Sequence, residues 1–164
     1  MNKRVLLMVS VTIFSRLLAA QTPDITNLVG DNWYGMYMNG QKVGWNLNSI
    51  KKDDKNRVHV VEDARFYVNM SGAKQDMHVF TDRIYAGEDG HLIEIVSEVT
   101  DPSQISRFHA LAQGDSLLLT SVMGQNTTEK SLPSTAESLK DSVCHAQWAR
   151  QAPQVGDAVN FTVF

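Results

Sequence analysis

Cys144-His145 is the one place in the chain where a nucleophile and a base are adjacent. Consecutive residues on a helix point about 100° apart, so the two side chains do not face each other. A cysteine hydrolase needs thiolate and imidazole within hydrogen-bond reach, with a third group orienting the base. The pair therefore reads as a small, packed Cys beside a surface His. The remaining histidines, His59, His78, His91 and His109, show neither H-x₃-H nor H-E-x-x-H spacing, so no metal site is expected. His59 and His78 are candidates for cross-strand neighbours, and such a pair is more often solvated than ligating. Glu94 and Glu98 share one face of a strand pattern, but two carboxylates do glycosidic chemistry only across a substrate cleft. Neither a Gly-rich phosphate loop nor a nucleophile elbow occurs. The residues predict no catalytic, metal or cofactor site.

The remaining candidate site is one of shape. Trp33 to Met38, then Asn39-Gly40, then Gln41 to Ile50, reads as a hairpin. Asn-Gly between β-prone runs is the strongest short hairpin signal, because a type I′ turn needs positive φ at both central residues. A regular two-residue turn sets Met38 against Gln41, Met36 against Val43 and Tyr34 against Trp45, one large apolar face. On the other face Gly35 falls opposite Gly44, with Trp33 and Tyr37 alongside and Lys42 across from Tyr37. Facing glycines leave room for a close backbone or ligand. Trp33, Gly35, Tyr37, Lys42 and Gly44 form a candidate docking notch, with a sharp bend in the sheet as the plainer alternative.

The elements that must position this notch are nearly all strands. Arg57 to Met70 alternates apolar and polar residues; Glu62 interrupts the apolar row and reads as a bulge. At fourteen residues it exceeds the usual strand of about five or six, so it should bend. Met77 to Tyr85, Leu92 to Thr100, Ile105 to Ala112 and Leu117 to Met123 follow, separated by Glu88-Asp89-Gly90, Asp101-Pro102 and Gly114-Asp115. Gln125 to Leu132 is polar and reads as a loop. Ser134-Thr135-Ala136-Glu137 fits a capping box, and Leu139, Val143 and Ala146, extended by Trp148 or Ala149, recur at helical spacing until Pro153. Val159, Phe161 and Val163 alternate as a last strand, in which the sequence stops at Phe164. That ending suggests a domain separated from a longer protein. The expected fold is all-β: a strongly curved, half-barrel-like antiparallel meander of about eight strands with one C-terminal helix packed on it.

Residues 1–20 look like an export signal. Asn2-Lys3-Arg4 is a basic start, Val5 to Phe14 is uncharged, and Leu18-Ala19-Ala20 offers a cleavage site before Gln21. Ten residues are too few to span a bilayer core of about 30 Å, which favours a cleaved signal over an anchor. Residues 21–164 then form one domain, periplasmic or extracellular. Cleavage removes Lys3, Arg4 and Arg16 and no acid, which takes the net charge from −3 to −6. An acidic chain without clustered Lys and Arg is a poor nucleic-acid binder. Cys144 is the single cysteine, so no intramolecular disulfide supports the domain.

The run Trp33-Tyr34-Gly35-Met36-Tyr37-Met38-Asn39-Gly40-Gln41-Lys42-Val43-Gly44-Trp45 resembles the opening hairpin of the N-terminal β-domain in secreted bacterial transglutaminase-like envelope proteins. Val155-Gly156-Asp157 through Phe161-Thr162-Val163-Phe164 is similar to that domain's last strand. The resemblance covers roughly residues 30–164, with these two segments carrying it. It implies a non-catalytic accessory domain whose partner is a downstream papain-like Cys-His-Asp domain or another envelope protein. No residue of that triad maps onto this chain. Hairpins with Lys-Ile-Gly also open envelope half-barrels that carry acyl chains, so a carrier of a lipid or other apolar ligand is the alternative. Such a carrier would enclose its ligand between curved sheet and helix.

Overall fold

The computed structural model describes residues 23–70, 72–134 and 137–151. The proposed signal segment and the predicted last strand lie outside these residues. Eight strands follow one another as an antiparallel meander in the order β1-β2-β3-β4-β5-β6-β7-β8. They are β1 (Gly30–Met38), β2 (Gln41–Lys52), β3 (Val58–Met70), β4 (Ala73–Tyr85), β5 (Leu92–Thr100), β6 (Ile105–Gln113), β7 (Ser116–Met123) and β8 (Asn126–Pro133). One helix, α1 (Leu139–Arg150), comes after them. Among the described residues no pairing joins β8 to β1, so the sheet is open. No described helix is long and apolar enough to cross a membrane.

Local chemistry explains the connections. Asn39 and Gly40 have φ of 50° and 76°, the type I′ geometry that Asn-Gly favours. A side chain at Gly40 would meet no atom within 4 Å, so its cost there comes from the backbone alone. Gly40→Val is expected to destabilise the domain by about 1–3 kcal/mol. Denaturant titration checks this, and an unchanged midpoint would contradict it.

The core lies between α1 and one face of the sheet. Register places Ile50, Val60, Arg83, Ile95, Ala110 and Leu119 in one row across that face. Ile50, Val58, Tyr85, Leu92 and Leu117 form the buried cluster with Leu28 and with Leu139 and Val143 of α1. Leu139 and Val143 have no exposed surface, as their spacing one helical turn apart requires. The Tyr85 hydroxyl donates to Glu137 Oε1 at 2.8 Å, and Ser142 Oγ donates to the same oxygen at 2.9 Å. Burial pushes the Tyr85 hydroxyl above the usual tyrosine range, so it remains a donor tying helix to sheet.

Four expectations are corrected. Residues 126–133 form β8 rather than a loop. They are an edge strand exposed at every position but Leu132, so no half-buried alternation betrays them. Glu62 makes no bulge: it pairs in unbroken register with Asn48 and Thr81, accepting a bond from Asn46 Nδ2 at 3.3 Å. The helix is capped one turn later than expected. Ser138 Oγ donates to Asp141 Oδ2 at 2.6 Å, and the Asp141 amide points back to Ser138 Oγ at 3.4 Å. This is a reciprocal box with Asp in place of Glu. Finally, the β1–β2 register slips by one residue beyond the turn, with consequences for the notch.

Candidate docking site at the first hairpin

The slip lies between Met36 and Tyr37. Met38 faces Gln41 and Tyr37 faces Lys42 as the turn dictates; Met36 then faces Gly44, Gly35 faces Trp45 and Tyr34 faces Asn46. Val43 is the extra residue of a β-bulge, and its side chain is buried. Gly35 and Gly44 therefore do not face each other. The bulge leaves Trp33, Gly35, Tyr37 and Lys42 on the face opposite the helix and turns Gly44 to the helix face. The predicted notch of paired glycines does not exist.

Each glycine does something different. A Cβ on Gly44 would lie 2.1 Å from the Arg65 carbonyl oxygen and 2.6 Å from Phe66 Cα, so only glycine lets β2 approach β3 there. At Gly35 a Cβ would meet the end of the Tyr37 ring at 2.8 Å, and that ring can swing away. Without a side chain at Gly35, Trp33 leans over Trp45, with ring centroids 5.1 Å apart and planes tilted by 55°. The Arg65 guanidinium carbon lies 5.8 Å from the Trp45 ring centroid.

Beyond Gly44 the sheet opens. The β2–β3 ladder ends at Gly44↔Phe66, whereas β3 stays paired with β4 as far as Met70↔Ala73. The gap is a groove of about 710 Å³, with Val43, Gly44, Phe66 and Met77 among its apolar lining. Lys42, Arg65, Asp76, His78 and Thr100 supply its polar lining. Tyr67 spans one end, donating its hydroxyl to the Lys42 carbonyl at 3.0 Å, and the Lys74 ammonium sits 3.8 Å from its ring centroid.

The hairpin also presents apolar surface to solvent. Trp33 is 63% exposed and Tyr37 67%, and Tyr34 and Met38 are exposed too. Among the described residues β1 is an edge strand, with no charge from Asn32 to Met38. The opposite edge, β8, carries Glu129, Lys130 and a terminal Pro133. Charge and proline are the usual means of blocking edge-to-edge association, and β1 lacks both beyond Asp31, which pairs with Lys51 at 3.6 Å.

His59, His78, Glu94 and Glu98, singled out in the sequence, are paired with other partners. His59 and His78 are not neighbours: His59 Nδ1 lies 2.8 Å from Asp82 and His78 Nε2 lies 2.8 Å from Asp63. Glu94 meets His109 at 2.7 Å and Glu98 meets Arg107 at 2.8 Å. Burial alone would raise the Asp53 carboxyl. Bonds from the Arg57 backbone and side chain and from His59 outweigh it, holding Asp53 well below the carboxylate range. Cys144 is half-buried on α1. No group of three or more His, Cys, Asp or Glu among the described residues could hold a metal ion.

No family model matches the chain, and no curated protein or solved structure is detectably similar to it.

Proposed function

We propose that this is a non-catalytic docking domain of an exported protein, which associates with its partner through β1 and the tip of the first hairpin. One observation carries this reading: the edge strand β1, uncharged from Asn32 to Met38, exposes the large side chains of Trp33 and Tyr37, while the opposite edge is guarded. A partner strand added along β1 would satisfy its free backbone groups and cover Trp33 and Tyr37. The resemblance of the hairpin points to a papain-like domain of the same polypeptide, or another envelope protein, as the partner.

Photo-crosslinking in the producing cell tests this. A benzophenone amino acid at Tyr37 should give one discrete adduct with a protein identifiable by mass spectrometry, or an internal link in a longer polypeptide. The same group at Glu129 on β8 should give none. Equal labelling from both edges, or none from Tyr37, would refute docking at β1. The apolar groove supports a second reading, a carrier of an apolar ligand. Saturable one-to-one binding of a fluorescent fatty acid by the purified domain would favour that carrier instead.

A further inference from the structure

The groove where β2 leaves β3 has three features that belong together in peptide recognition. The first is a backbone edge. β3 runs on past Phe66 with β4 on one side and, among the described residues, no strand pairing on the other through Asn69. An extended segment can use such an edge for main-chain hydrogen bonds.

The second is a pair of cations, Arg65 and Lys42, that form no ion pair among the described residues. The strand arginines Arg83 and Arg107 each hold an acid, Glu137 and Glu98. Arg65, exposed on β3, instead packs beside the Trp45 ring. That contact steadies the guanidinium while leaving N–H donors available, the geometry that receives a carboxylate bidentately. Lys42 lines the same groove and also makes no ion pair among those formed by the described residues. Asp76 is the acid in the lining; Lys74, two residues earlier on the same face of β4, lies beside it in the strand. A cationic pair stands out on a chain whose formal net charge is −3.

The third is apolar lining on the other, helix-side face of the opening, where Gly44, Phe66 and Met77 lie in one register row.

We propose that this groove binds a short extended acidic peptide segment along the β3 edge, with a carboxylate on Arg65 and Lys42 on one face and a neighbouring apolar side chain, pointing to the other face, beside Phe66. The assignment rests on the docking reading and names what part of the partner enters the domain. Lys42 joins the two places, because it borders the groove and pairs with Tyr37 at the hairpin tip.

The test is a titration of the ¹⁵N-labelled domain with the peptide Ac-Ser-Glu-Val-Phe-Val-Asp-Ser-NH₂, followed by amide shifts. Saturable shifts are expected at Gly44, Phe66 and Tyr67 by about 2 mM peptide, a concentration suited to a weak transient contact. The Gln/Asn version of the peptide should bind about tenfold or more weakly, the scale of one lost charge-assisted bond. Arg65→Ala should weaken binding as much, with an unchanged circular dichroism spectrum, and Arg65→Lys should fall between. No groove shifts, or equal binding of the amide peptide, would overturn the proposal. Saturable shifts with sodium dodecanoate in place of the peptide would overturn it in favour of an apolar ligand. A Tyr37 adduct without peptide shifts would sink the groove alone, and peptide shifts without an adduct would sink the edge alone.

Discussion

Gly44→Ala is expected to destabilise the domain by about 3 kcal/mol or more, at the upper end of what overpacking costs. A methyl group at this position would sit 2.1 Å from a backbone oxygen of β3. Such a clash cannot be relieved by rotating a side chain; it needs the two strands to move apart. The ladder ends at this pair, so the relief would unzip Gly44↔Phe66 and Trp45↔Arg65, widening the groove from its closed end. Gly35→Ala gives the contrast. Its methyl group meets only the outer edge of the Tyr37 ring, and the expected cost is below about 1 kcal/mol. Urea titration of the two variants measures the difference. Similar midpoints for both would mean that β2 does not lie against β3 as described.

That difference between two glycines is also where the sequence stopped being readable. The Asn-Gly turn announces itself, because its positive φ values demand particular residue types. A regular register follows from the turn and holds for Met38 and Tyr37. The bulge at Val43 has no such signature: Val is an ordinary strand residue, and its displacement follows from burial of its side chain. One inserted residue then moves every later pair, which is why Gly35 and Gly44 parted company.

Strand type was legible wherever one face is buried, as in β3, where Val58, Val60 and Ala64 share the helix side with Glu62. It failed at β8, where almost no residue is covered. The groove was illegible for a different reason. Arg65 meets Trp45 only through the β2–β3 register, and those strands are joined through Asp53–Arg57, not by a two-residue turn. Asp53 organises that connection by accepting from the Lys55 and Arg57 amides at 3.0 and 2.8 Å, an arrangement composition does not reveal. The His59–Asp82, His78–Asp63 and His109–Glu94 pairs were hidden likewise, since each joins diagonal positions on neighbouring strands.

Leu139→Ala is the other substitution with a large expected effect, about 3–5 kcal/mol. A helix of twelve residues is marginal alone in water, so α1 depends on what it buries. Among its described side chains Leu139 and Val143 are the ones fully buried, while Ala146 adds a small side chain against the core. Leu139 is also where the chain turns onto the sheet: its amide donates to the Gly90 carbonyl at 2.8 Å, and Ser138 bridges to His91. Truncating it would leave a cavity beside Val143, Leu92 and Leu117 that the sheet, fixed by its ladders, cannot close. Loss of packing there should also loosen the bonds from Tyr85 and Ser142 to Glu137, because they hold only while the helix lies flat. Helix amides are therefore expected to exchange with deuterium faster than those of β3 and β4 in the variant, ahead of global unfolding. Lys140→Ala, one residue away on the exposed side, should shift stability by less than about 0.5 kcal/mol. Equal losses for the two variants would show that α1 is not seated on the sheet through Leu139.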